Sequence, residues 1–170
     1  AAAAPQAPPA GPALPDPRDP RLALEREALK VLIQRPVVVG SLTASIAPED
    51  FTHPAYRAIW ALIAAAGGVV AGAGDPQWAS TLCTHCADER LVPLLNALVV
   101  EAIVTRKEDA DYVREVVSRL RETTLARRIA DAHSRLQRAD PSDLDGYFKA
   151  AGELTALEQE RRALRDEIAS

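Results

Sequence analysis

Cys83-Thr84-His85-Cys86 holds the residues of this chain best suited, by type and spacing, to chemistry. A C-x-x-C pair supplies half of the soft ligands of a tetrahedral zinc site, and the same spacing serves dithiol exchange. The pattern does not supply the rest of either site. There is no second cysteine pair, and His53 and His133 fall in separate segments without ligand spacing. A thioredoxin-type pair needs a βαβ context, whereas the surrounding pattern is helical. Small cysteines on a helix, with His85 at the surface, account for the motif, and no metal is expected.

The remaining chemistry-bearing residues have similar structural explanations. Glu49-Asp50, Asp88-Glu89, Glu108-Asp109 and Asp111 stand where helices begin, as caps and dipole partners do. Gly67-Gly68, Gly72 and Gly74 lack the Lys-Ser/Thr that completes a phosphate loop. Three histidines in helical or turn contexts give a Ser/His/Asp constellation little support. No catalytic residue and no cofactor is expected in this chain. Arg121, Arg127, Arg128, Arg135 and Arg138 lie along one helical pattern, but Glu122 and Asp131 interrupt them and no aromatic side chain is interleaved for stacking. That reads as a solvated face, and the net charge of −4 also argues against direct nucleic-acid binding.

The elements that must position these residues read as helices throughout. Residues 1–20 are rich in Ala and Pro and read as an extended, flexible linker, without the basic start and apolar core of a signal peptide. No run is long enough to cross a membrane. With two cysteines and no disulfide framework, a cytoplasmic setting is expected. The chain has 170 residues and no Met, which implies a piece of a longer polypeptide.

A first helix over 22–35 carries a stripe of Leu22, Ala28, Leu29, Leu32 and Ile33, closed by Pro36. Residues 37–46 are β-branched, yet a lone strand has no partner, so a short helix or packed loop is expected. Residues 47–51 suit one helical turn. Thr52-His53-Pro54 then restarts the chain into a helix with Tyr56, Ile59, Trp60 and Ile63 on one face, stopped by Gly67-Gly68. Asp75-Pro76 opens a helix through Trp78 and Leu82, and another covers 88–100.

The longest pattern, 105–139, contains neither Gly nor Pro, and its apolar phase shifts near Thr123-Thr124, as at a kink or a change of packing partner. Asp140-Pro141-Ser142 turns the chain into a last helix with Leu144, Tyr147, Phe148, Ala151, Leu154, Leu157, Leu164 and Ile168. The fold class is all-α: a helical bundle over 21–104, then 105–170 as a long helix and a C-terminal hairpin. Two readings of the last helix stay open. Its leucines either zip the hairpin together or leave apolar surface for docking.

Two stretches carry a resemblance: 27–36, Glu-Ala-Leu-Lys-Val-Leu-Ile-Gln-Arg-Pro, and 51–60, Phe-Thr-His-Pro-Ala-Tyr-Arg-Ala-Ile-Trp. Their order resembles the C-terminal, helicase-binding domain of the DnaG-type bacterial DNA primase, over roughly 22–168. The resemblance implies a noncatalytic module of an enzyme that synthesises RNA primers in DNA replication. The partner it implies is the replicative hexameric DNA helicase, held through the hairpin. On this chain that role falls on Tyr147, Phe148, Leu154, Leu157, Leu164 and Ile168, with Arg161, Arg162 and Arg165 as rim charges. It also implies a site for the acidic tail of single-stranded-DNA-binding protein, carried onto Arg21 and Arg26. Zinc and magnesium belong, on the same resemblance, to upstream domains only. The alternative is the N-terminal collar of a replicative helicase, which shares the fold and serves self-association.

Overall fold

The computed structural model describes residues 13–103 and 109–170. Among them every regular element is helical: α1 (Ala23–Gln34), α2 (Pro36–Val39), α3 (Pro54–Ala65), α4 (Gly68–Ala73), α5 (Trp78–His85), α6 (Val92–Val100), α7 (Asp109–Gln137) and α8 (Leu144–Ala169). Short 3-10 turns span Gly40–Ser45, Pro48–Asp50 and Glu89–Leu91. None of the described helices is long and apolar enough to cross a membrane.

α1 is the central element. Ala28, Leu29, Val31, Leu32 and Ile33 are all buried, a wider apolar surface than the single stripe read from the sequence. Pro36 ends α1 and also opens α2, because a proline at a first helical position lacks only a donor that had no partner there. The β-branched run of 37–46 therefore forms α2 and a 3-10 turn, its strand propensity overridden by tertiary context.

The entry to α3 follows its residues closely. The backbone N–H of Ala47 donates to Asp50 Oδ2 at 2.8 Å, closing the 3-10 turn. His53 Nδ1 accepts the Ala55 N–H at 3.1 Å, with Pro54 at the first position. Tyr56, Ile59 and Ile63 are fully buried, and half-buried Trp60 stacks on Phe51 with ring centroids 5.9 Å apart. Gly67 (φ +103°) and Gly68 (φ +75°) occupy the left-handed region, which stops α3 as the sequence implies. α4, absent from the sequence reading, starts at once from that stop. Its Gly72 is required by packing, since a Cβ there would lie 2.5 Å from the Trp78 indole.

One core joins α1 to α6 with the first half of α7, through Val113, Val116, Val117 and Leu120. A second, smaller core begins at Leu125 and continues with Ile129 and Ala132 against Leu154 and Leu157 of α8. Between them, the Thr123 and Thr124 hydroxyls donate back to the Arg119 and Leu120 carbonyls, at 2.9 and 3.2 Å. The phase shift at Thr123-Thr124 is thus a change of packing partner along one helix.

Of the proposed linker, 1–12 lie outside the described residues, as do the boundary at 104/105 and Glu108. Within 13–20, Pro15 is buried, and Asp16 and Asp19 accept the Arg18 and Arg21 N–H groups at 2.8 and 2.9 Å, side-chain turns that lead into α1.

Candidate functional site: the α7–α8 hairpin

The hairpin is built from a short polar turn and a narrow apolar seam. Asp140 Oδ1 accepts the N–H and the hydroxyl of Ser142 at 2.9 and 2.7 Å. These hydrogen bonds hold the Asp140 carboxyl below its ordinary value. Asp143 then caps α8 by accepting the Gly146 N–H at 3.0 Å. A Cβ at position 146 would collide with that carboxylate, so the cap and the glycine belong together.

Along the seam, Leu154 and Leu157 are buried against Leu125, Ile129 and Ala132, with Leu136 and Leu164 partly covered. Ion pairs line its edges, Arg135–Glu153 at 3.0 Å and Arg121–Glu160 at 2.8 Å, and His133 Nε2 lies 3.6 Å from the Glu158 carboxylate. Glu122 receives Arg165 at 2.7 Å and Arg161 at 3.6 Å. The Arg165 hydrogen bond lowers the Glu122 carboxyl below its usual range.

The residues assigned to helicase contact therefore divide. Leu154 and Leu157 belong to the hairpin's own seam, as the zipper reading has it, and Arg161 and Arg165 are drawn to Glu122. Arg162 is exposed, and Leu164 is half-buried at the seam's end. Ile168 is 48% exposed. At the opposite end of α8, Leu144 (62%), Tyr147 (44%) and Phe148 (68%) stand out into solvent. The two rings meet edge to face with centroids 6.0 Å apart. Among the described residues, no other Phe, Tyr or Trp is this exposed.

Arg21 and Arg26 are not brought together as one anion site. Arg21 is exposed and paired with Asp19 at 2.8 Å. Arg26 is only 8% exposed; it donates to both carboxylate oxygens of Glu101 and to the Tyr56 hydroxyl at 3.0 Å. That hydrogen bond to Glu101 raises the Arg26 guanidinium and lowers the Glu101 carboxyl, while burial raises the Tyr56 phenol.

Arg26 opens a row that the sequence reading missed. Arg26, Lys30 and Gln34 recur every fourth residue on α1, and all three clasp the C-terminal end of α6. Lys30 Nζ donates to the Ala102 carbonyl at 3.0 Å. Gln34 Nε2 donates to the Leu98 and Glu101 carbonyls at 2.7 and 2.8 Å. Of these, the Leu98 carbonyl is one that a helix end leaves without a partner, and the other two continue the chain just past that end. The recurrence of Arg26, Lys30 and Gln34 at four-residue intervals along α1 was the available signal. Glu25 acts similarly at the other end, accepting the Thr52 and His53 N–H groups at 2.9 and 3.3 Å.

Cys83 donates its thiol to Asn96 Oδ1 at 3.7 Å and Cys86 to the Asp88 carbonyl at 3.4 Å. Among the described residues no group of His, Cys, Asp or Glu could hold a metal ion.

The family model described as DNA primase DnaG, DnaB-binding, matches residues 25–148. The DNA primase of Mycobacterium leprae is 40% identical over 154 residues, 89% of this chain and 24% of that protein. The DNA primase of Streptomyces coelicolor is 34% identical over 158 residues, 88% of this chain and 24% of that protein. The chain thus spans about a quarter of the length of these relatives. The solved helicase binding domain of primase from Mycobacterium tuberculosis is similar at a TM-score of 0.65 and 37% identity, over 87% of this chain and 93% of that one. With its bundle, long helix and hairpin so matched, the chain belongs to the DnaB-binding family of DnaG-type DNA primases.

Proposed function

We propose that this chain is the noncatalytic part of a DNA primase that brings the enzyme to the replicative hexameric helicase, with the tip of the α7–α8 hairpin as its anchor. The observation that carries the reading is the solvent-facing Leu144, Tyr147 and Phe148 at that tip, in a chain of the DnaB-binding family. Exposed aromatic side chains with an apolar neighbour are the usual anchors of protein interfaces. They lie beyond the buried seam, so they are available without opening the hairpin. Tethering through such an anchor raises the local concentration of the primer-synthesising domains at the fork. The relatives named above are primases, which favours this reading over a helicase collar. The acidic tail of single-stranded-DNA-binding protein is not part of the proposal, because Arg26 is engaged with Glu101 and Tyr56.

The test is a titration of the chain against the replicative helicase of its own organism. Replacing Tyr147 and Phe148 together by Ser is expected to weaken binding about a hundredfold while leaving the circular dichroism spectrum unchanged, since hot-spot aromatics cost this much when removed. Unchanged affinity in the double variant would move the anchor away from the tip. No binding by the parent chain would remove the recruiting role itself.

A further inference from the structure

α8 is held to the molecule by two kinds of contact along its length. As far as Leu157 the contact is a buried apolar seam, with Arg135–Glu153 at its edge. Beyond it, Leu164 is only partly covered and Ile168 is 48% exposed. The attachment there is ionic, through Arg121–Glu160 and the pairs of Glu122 with Arg161 and Arg165. The reason lies in α7, whose facing half has already committed Val113, Val116, Val117 and Leu120 to the bundle. A cleft of about 710 Å³ remains there, lined by Leu42, Ser45, Val117, Glu160 and Leu164 among others.

Arg121 crosses this cleft. From α7 its Nη1 donates to the Ser45 carbonyl of the bundle and its Nη2 to Glu160 of α8 at 2.8 Å. We infer that Arg121 and Glu122 form an ionic latch that docks the final turns of α8 on α7, with Arg121 linking them to the bundle through Ser45, and can release them while the buried Leu154–Leu157 seam stays closed. Part-exposed ion pairs are weak and are screened by salt. The Arg161–Glu122 separation of 3.6 Å is long for a hydrogen bond. Arg161 Nε is shut from solvent with no acceptor, a desolvation cost carried by the docked arrangement alone. Docked and released forms are thus close in free energy, so a modest competing charge shifts their balance. Release of the final turns uncovers Leu164, which is only partly covered when they are docked. The inference rests on contacts within the chain and stands apart from the helicase reading.

Hydrogen exchange on the intact chain, without helicase, tests it. At low salt, Arg121→Ala is expected to speed exchange of amides 161–166 about tenfold and leave 150–157 unchanged, a separation that marks local opening. The parent chain in about 1 M sodium chloride should approach the variant's pattern. Glu160→Gln should produce a smaller change at the same amides. Unaltered exchange at 161–166, or an equal rise across 150–157, overturns the latch. So does a change in Arg121→Ala that Glu160→Gln does not share, which would trace to the Ser45 carbonyl alone.

Discussion

The bundle and the hairpin use charge in opposite ways. In the bundle, Glu25, Arg26 and Lys30 are buried, and each is bonded to a backbone group or to a paired side chain that fixes a neighbouring segment. In the hairpin, ions sit along the edges of a seam one side chain wide, and the aromatic residues face water. A buried polar network specifies one arrangement because any slip leaves charges unpaired. An edge of exposed pairs tolerates slippage. The bundle is therefore fixed by its charges, whereas the hairpin carries its charges and its exposed aromatic rings at the surface.

Core truncations break this contrast most directly. Ile59→Ala empties a fully buried site in the bundle and should cost about 3 to 4 kcal/mol. Leu157→Ala, at the edge of a small core, should cost about 2 kcal/mol. Urea unfolding measures both, and hydrogen exchange should place the second loss in the hairpin alone. Equal, global effects would mean that the two regions share one core.

Arg26→Ala sharpens the contrast on the charged side. It strands the Glu101 carboxylate, which is about a third exposed, and should cost about 2 kcal/mol, below the range for a fully buried pair. The hydrogen bond from Arg26 lowers the Glu101 carboxyl below its ordinary 4.5. Its contribution to stability is therefore full above about pH 4.5 and is lost as pH falls through the lowered value. An acid-unfolding curve of the variant should be flatter in that window than the parent's. Curves of equal slope would show that Arg26 is not what holds Glu101 ionised. The smallest effect is expected at the hairpin turn. Asp143→Ala removes the cap on Gly146 and should cost about 1 kcal/mol, read as faster exchange in the first turn of α8.

Much of this architecture was legible in the residues. The turn over 47–51, a helix restart at Thr52-His53-Pro54, the left-handed stop at Gly67-Gly68 and a break in phase at Thr123-Thr124 follow from local chemistry; the structure picks His53 as the cap and a change of packing partner over a kink. The fate of charged side chains was not legible. Arg26 and Arg121 look alike in sequence, and only the tertiary fold decides that one is buried beside Glu101 while the other spans a cleft. α4 was missed because Gly67-Gly68 stops one helix and, through the same left-handed turn, aims the next. Leu157 and Phe148 were equally good candidates for contact. Which of them faced the seam depended on how α8 is rotated against α7, and a weak apolar stripe does not set that rotation.

α7 runs unbroken through both cores, with 29 residues and hence a length of roughly 43 Å at 1.5 Å per residue. Mechanically it is a strut. A load applied at the hairpin tip along the helix axis is carried by one stiff rod, with no loop along α7 to absorb it. The load reaches the bundle at Val113, Val116, Val117 and Leu120, which must slide together along the helix axis before any one can leave. Shear of that kind loads every contact at once, whereas peeling would break them singly.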